Sequence, residues 1–165
     1  MKKNNTKRTL LTQILNKMSD IKQESKQVAF AFRGVKTEQF AIIQNDFDNK
    51  APLSGGLQVK FGVYVQECTV AQFSKFTFEQ EGKPIMIIEV SCHFAIEPEN
   101  FKSINNTELN QVVLPQEFAA HIVTITVGAT RGVLHTKVEN TIFNQFLIPL
   151  VNVTEVVRED VFIKY

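Results

Sequence analysis

The chain has no tryptophan, two cysteines, two tyrosines and, in 165 residues, only seven glycines and five prolines. Two cysteines are too few for a disulfide framework, so Cys68 and Cys92 read as reduced, packed thiols. No apolar run approaches the ~20 residues of a membrane-spanning helix, which argues against stable membrane insertion. An excess of one charge is missing too: 18 basic and 17 acidic residues leave a formal +1. A nucleic-acid partner held by bulk electrostatics is therefore not expected. The start, MKKNNTKRTLLTQILNKM, is basic like a signal peptide. Thr12, Gln13, Asn16 and Lys17 interrupt its apolar part, and no small-residue cleavage site follows, so the expectation is a cytoplasmic protein.

Catalytic constellations are scarce as well. His93, His121 and His135 are scattered, with no pair at metal-ligand spacing, so neither a metal nor another cofactor is expected. Cys92 and His93 are adjacent, and on a strand they point to opposite faces, where neither can activate the other. Gly55-Gly56 lacks the Lys-Ser/Thr and helix of a phosphate loop. Glu79, Glu81 and Glu89 form no defined carboxylate pair and read as solvated strand and turn residues. The residues point away from an enzyme.

What the chain does have is phenylalanine, 14 in all, and extended segments with clear alternation. From Ala71 to Ile96 the pattern predicts a β-hairpin. Met86, Ile88, Val90, Cys92, Phe94 and Ile96 form one apolar face, and Ile87, Glu89, Ser91 and His93 form a mixed one. Glu81-Gly82-Lys83-Pro84 supplies the turn. Upstream, Leu10, Leu11, Ile14, Leu15, Met18 and Ile21 recur at helical spacing and predict an amphipathic helix from Thr6 to about Gln27. Its stripe either packs on the domain or an oligomer contact, or serves as a replaceable arm, membrane anchor or partner helix; packing is the commoner fate. Val28, Phe30 and Phe32 begin an extended run reaching Ile43. A turn-rich loop follows, and Leu57 to Gln66 is a further strand with Leu57, Val59, Phe61, Val63 and Val65 on one face. Four successive extended runs with short connections predict an antiparallel meander. Phe30, Phe32, Phe61 and Phe78 read as core.

After Ile96 a polar segment reads as a loop that Phe101 and Ile104 anchor. From Pro115 the signals conflict. Pro at a helix start and Phe118, Ile122, Ile125, Ala129 and Val133 at helical spacing argue for helix. Six β-branched residues in a row, Ile122 to Val127, argue for strand. The last part, TIFNQFLIPLVNVTEVV, reads as a loop packed on the core before a short terminal element.

From about Phe30 onward the chain resembles the SecB family of export chaperones. Glu89-Val90 followed by Phe94-Ala95-Ile96 is similar to the family's central strand. Pro115 with Phe118-Ala119-Ala120 resembles the start of its long helix, and Pro149-Leu150-Val151-Asn152-Val153 its Pro-Val-Asn-Phe signature. The resemblance implies an α+β fold: a four-stranded antiparallel sheet with a long helix on one face, Pro115 to about Val138. Residues 28–165 would be the SecB-like domain and residues 1–27 an N-terminal helical extension. It further implies a homo-oligomer, dimer or tetramer, that holds unfolded polypeptides or preproteins in an apolar groove. Phe94, Phe101, Phe143 and Phe146 are the groove candidates. Glu38, Ile87 and Glu89 are the candidates for a sheet face that docks the SecA motor ATPase. The N-terminal extension, the missing acidic balance, the longer Arg131–Asn140 segment and the absence of a second long helix depart from the family. The implied function is an ATP-independent holdase for protein export. A dedicated chaperone of one client, such as an antitoxin, and a non-chaperone scaffold subunit are the alternatives.

Overall fold

The computed structural model describes residues 28–43, 47–48 and 50–165, so the helix expected over residues 6–27 lies outside the described residues. The hairpin forms where the alternation places it. β3 (Thr69–Gln80) pairs antiparallel with β4 (Lys83–Ile96), from Thr69 opposite Ala95 to Gln80 opposite Lys83. Its two-residue loop has φ of 52° at Glu81 and 75° at Gly82. Two left-handed residues match the twist of the flanking strands, and Gly82 adopts that conformation without a Cβ penalty.

β1 (Phe30–Ile42) and β2 (Ser54–Tyr64) complete a four-stranded sheet whose order is β1-β4-β3-β2. The expected simple meander is thus corrected to a Greek-key arrangement, in which the first strand lies beside the last of three hairpin-connected ones. The eleven residues between Ile42 and Ser54 make this possible. They have to reach across three inter-strand spacings of about 4.8 Å each, far more than a hairpin turn spans.

β1 carries two register shifts, between Phe32 and Gly34 and between Thr37 and Gln39. Each inserts an extra residue and inverts the alternation downstream. Phe30, Phe32, Val35, Thr37, Phe40 and Ile42 all oppose residues on the even-numbered face of β4 as a result. Burial of the four presumed core phenylalanines is uneven. Phe78 is buried and Phe30 and Phe61 half-buried, but Phe32, at the sheet's edge, is 50% exposed.

Helix α2 (Gln116–Val138) follows a short α1 (Pro98–Ile104) and the strands β5 (Asn105–Asn106) and β6 (Gln111–Leu114). The expected loop after Ile96 therefore contains a helix. Pro98 opens it, and its anchors Phe101 and Ile104, three apart on one face, are both buried. A short α3 (Val153–Val156) leads to β7 (Val161–Lys164), which pairs with β6 in a second, three-stranded sheet.

α2 lies on the even-numbered face of β4, against β3 and β4. The core has two apolar clusters. One contains Val70, Phe94, Ile96, Phe101, Phe118, Ile122 and Val127; the other contains Phe76, Phe78, Met86, Ile88, Leu134, Phe143 and Phe146. A buried polar seam crosses the face from Gln72 and Ser74 on β3 to Thr126 and Thr130 on α2. Each seam group is satisfied. Ser74 donates to Gln72 Oε1 at 3.1 Å, and the Thr126 and Thr130 hydroxyls donate to carbonyls four residues back at 2.9 and 2.7 Å. No helix among the described residues is long and apolar enough to cross a membrane.

Candidate functional site

The four groove candidates do not converge. Phe94 and Phe101 are buried in the first cluster, and Phe143 and Phe146 in the second. Phe94 receives the rings of Phe30 and Phe32 at 5.7 and 5.6 Å. Phe143 and Phe146 are brought inward by a turn after α2: Phe146 N–H donates to Phe143 O at 2.9 Å, and Thr141 Oγ1 accepts from Phe143 N–H at 3.1 Å. Phe47 stacks on Phe143 and meets Phe146 edge-on, and Phe146 packs against Phe78 at 5.3 Å. In the closed chain these residues are the interior of the two clusters, not a solvent-lined wall.

Apolar surface is open nearby. The segment following α2, residues 139–152, runs back along the domain and is pinned by Arg131. Its Nε donates to Ile148 O at 3.2 Å and its Nη2 to Pro149 O at 2.6 Å. Between this strap and the start of β2 is a cleft of about 230 Å³ lined by Leu53, Gly55, Phe76, Phe78, Leu147 and Pro149, with Ser54 and Gln145 adding polar groups. Leu147 is 73% exposed and Leu150 95%. The cleft runs to β2, an outer strand whose far edge pairs with no other strand among the described residues. Sequence reading missed Leu147 and Leu150 because they sit in an apolar run that looked like packed loop. The alternation Phe146, Ile148 in and Leu147 out was the available signal.

The opposite face of the sheet carries Glu38, Ile87 and Glu89. The shift between Thr37 and Gln39 leaves Glu38 as the extra residue, and its carboxylate reaches Ser91. Ser91 Oγ donates to Glu38 Oε1 at 2.7 Å, and Lys36 Nζ donates to Oε2 at 2.8 Å. With the Ser91 hydrogen committed to Glu38, the 3.2 Å contact between Ser91 Oγ and His93 Nε2 has the imidazole as donor. The Lys36 hydrogen bond, then that of Ser91, holds the Glu38 carboxyl below its ordinary range. Glu89 faces Lys60 at 3.9 Å and lies opposite Lys75 in the β3 register. Ile87 is half-buried between Ala41 and Thr77. The three residues share one face, but lysines balance both carboxylates.

Other chemically capable residues are occupied. Cys92 is buried; burial raises its thiol pKa, and a hydrogen bond with Thr126 offsets this in part. A thiol held protonated is a poor nucleophile. Cys68 caps the 3₁₀ turn Val65–Glu67 with a left-handed φ of 46°, and its carbonyl accepts from Ile96 N–H at 2.8 Å. Among the described residues no group of three His, Cys, Asp or Glu side chains could hold a metal ion.

No family model matches the chain, and no curated protein matches it. Among solved structures it is similar to the Mycobacterium tuberculosis Rv1957 SecB-like chaperone in complex with a ChAD peptide from the Rv1956 HigA1 antitoxin. The TM-score is 0.44 with 9% sequence identity, covering 74% of this chain and 91% of that one. A likeness so remote assigns neither a family nor an activity.

Proposed function

We propose that the chain is a non-catalytic chaperone that holds unfolded polypeptide in the cleft between the strap and β2 and passes it to export machinery. The observation that carries the reading is the open, largely apolar cleft beside a strand edge that pairs with no other strand among the described residues. Leu147 at its rim, the exposed Leu150 next in sequence to the lining Pro149, and Phe76 and Phe78 in its wall offer burial to apolar side chains of any sequence. The edge of β2 offers main-chain hydrogen bonds to an extended segment. Phe143 and Phe146 stand behind Phe78 and support the wall, whereas Phe94 and Phe101 lie in the other cluster. The resemblance of the sequence to SecB points the same way. On the far face, Glu38, Ile87 and Glu89 are the proposed docking surface for a partner such as SecA. The outer edges of β1 and β2, which pair with no further strand among the described residues, suit a homo-oligomer.

The test is binding of a fluorescent, permanently unfolded polypeptide together with suppression of aggregation of a refolding client. Leu147→Asp combined with Leu150→Asp is expected to weaken binding at least tenfold, since burying one Leu is worth about 1.5–3 kcal/mol. A wild-type chain that neither binds the polypeptide nor delays aggregation at one chain per client rules the holdase out. One stoichiometric partner on co-purification, in place of many precursors, would identify a dedicated chaperone.

A further inference from the structure

The cleft is small for the occupant proposed for it. Its volume of about 230 Å³ falls below the ~300–1,000 Å³ of ordinary ligand pockets, and an unfolded polypeptide brings backbone as well as several side chains. Its two walls are built differently. Phe76 and Phe78, on the sheet side, are fixed by pairing of β3 with both β2 and β4. Leu147 and Pro149, on the strap side, belong to no helix or strand. The strap is secured near its two ends by bonds to close neighbours. At the first, Asn140 takes a left-handed φ of 60° just after α2, a conformation that Asn tolerates. Thr141 N–H then donates to Val138 O at 3.1 Å and Asn144 N–H to Thr141 O at 3.2 Å, with Phe143 and Phe146 buried beneath. At the second, Asn152 O accepts from Glu155 N–H at 3.1 Å and Asn152 Nδ2 donates to Glu155 Oε1 at 2.8 Å, where α3 begins. Between these anchors, the hydrogen bonds that join residues 147–150 to the rest of the domain, among the described residues, both come from Arg131. Ile148 is the buried side chain of the four; Leu147, Pro149 and Leu150 are exposed.

We infer that residues 147–150 are a clasp, latched by Arg131, that opens to admit a polypeptide segment and closes over it. One guanidinium holds two consecutive carbonyls, Ile148 O and Pro149 O. Such charge-assisted bonds are strong, yet both are lost together when that one side chain swings away. Opening withdraws Leu147 and Pro149 from the cleft and lifts Ile148 out of its cluster. The wall that limits the volume gives way, while Phe76 and Phe78 stay in the sheet as a fixed platform. The anchors at Thr141 and Asn152 hold through bonds that do not involve residues 147–150, so the displaced residues remain tethered close by. Closing returns Leu147 to the rim, now against the client, and Arg131 to its carbonyls. Arg131 is thus a positioning residue, acting on the client through the strap. The inference rests on the chaperone reading of the cleft and adds its gate.

The test follows association and release of a fluorescent, permanently unfolded polypeptide by stopped flow, in the full chain and in its Arg131→Gln and Arg131→Lys variants. Arg131→Gln should speed both association and release at least about tenfold, the effect of losing a hydrogen bond from a charged group. Arg131→Lys, which keeps the charge without the two-pronged fork, should fall between. An arginine that merely props the wall would speed release and leave association unchanged, and that result overturns the proposal. A second measurement needs no client. In the full chain with Ile148→Cys, alkylation at position 148 is compared with that at the native Cys92, buried in the other cluster, each normalised to its rate in denaturant. Position 148 should react at least about a hundredfold faster, as expected for local against global opening. Adding Arg131→Gln should speed position 148 further and leave Cys92 unchanged. Equal normalised rates at the two positions mean that the strap opens only when the domain unfolds, and overturn the clasp. A wild-type chain that binds no polypeptide, while position 148 reacts rapidly, removes the chaperone reading and upholds the opening of the clasp.

Discussion

Glu38 owes its surroundings to an inserted residue in β1. Strict alternation from Phe30 and Phe32 would turn an even-numbered residue toward α2. Two register shifts deliver Glu38 to Ser91 and Lys36 on the other face instead. Its carboxyl is held below the usual carboxylate range, so the folded state binds a proton there less readily than the unfolded one. The stabilisation is complete above the unfolded carboxylate pKa and is lost as pH falls through the folded value. Glu38→Gln should accordingly lower the melting temperature at pH 7, by an amount that shrinks as pH falls below the ordinary carboxylate range, as measured by thermal melts in the same buffer series. Gly55 answers to a different constraint. A Cβ there would stand 2.6 Å from Phe76 Cε1 and 2.9 Å from Thr77 O, and backbone cannot yield as a side chain can. Gly55→Ala should cost about 1–3 kcal/mol as overpacking, read as a lower urea midpoint at constant slope. At this scale the even-numbered face of β4 was legible because alternation alone defines it. The exposure of Phe32 was not, because it depends on where α2 stops covering the sheet.

Among the elements, α2 is where local preference and tertiary demand collide. Six consecutive β-branched residues favour a strand, yet Phe118, Ile122, Thr126 and Thr130 bury one helical face together. The threonines cost little there, since the hydroxyls of Thr124, Thr126, Thr130 and Thr136 each donate to a carbonyl four residues earlier. The helix start draws on the far end of the chain: Gln116 N–H donates to Asp160 Oδ1 at 2.8 Å, and Gln116 Nε2 to Val157 O at 3.0 Å. An anionic acceptor on a free N–H at a helix N-terminus satisfies both a hydrogen bond and the dipole. Asp160→Ala should destabilise the fold by about 0.5–2 kcal/mol, and Asp160→Asn by less, in chemical denaturation. Pro115 marked this start in the sequence, but a partner 44 residues away could not be seen.

Across the whole molecule, phenylalanine holds the two ends together by different means. One end is a β1–β4–α2 corner around Phe94. The other is the strap turned inward through Phe143 and Phe146. Phe146→Ala removes contacts with Phe47, Phe78 and Phe143 at once. It should cost about 3–5 kcal/mol, and by loosening the strap it should weaken polypeptide binding as well, whereas Phe94→Leu should reduce stability without that second effect. Alternation and turn residues are local, and they were enough to determine four strands, a tight central hairpin at Glu81-Gly82 and an apolar C-terminal segment against the core. After Pro115 the local signals conflict, and the expectation of a long helix came from the family resemblance. Tertiary structure decided what depends on neighbours distant in sequence: that β1 pairs with β4 and not β2, that four candidate groove phenylalanines are buried, and that the open apolar cleft belongs to Leu147 and its neighbours. Periodicity assigns a side chain to a face, but only the elements packed on that face decide whether it meets protein or water.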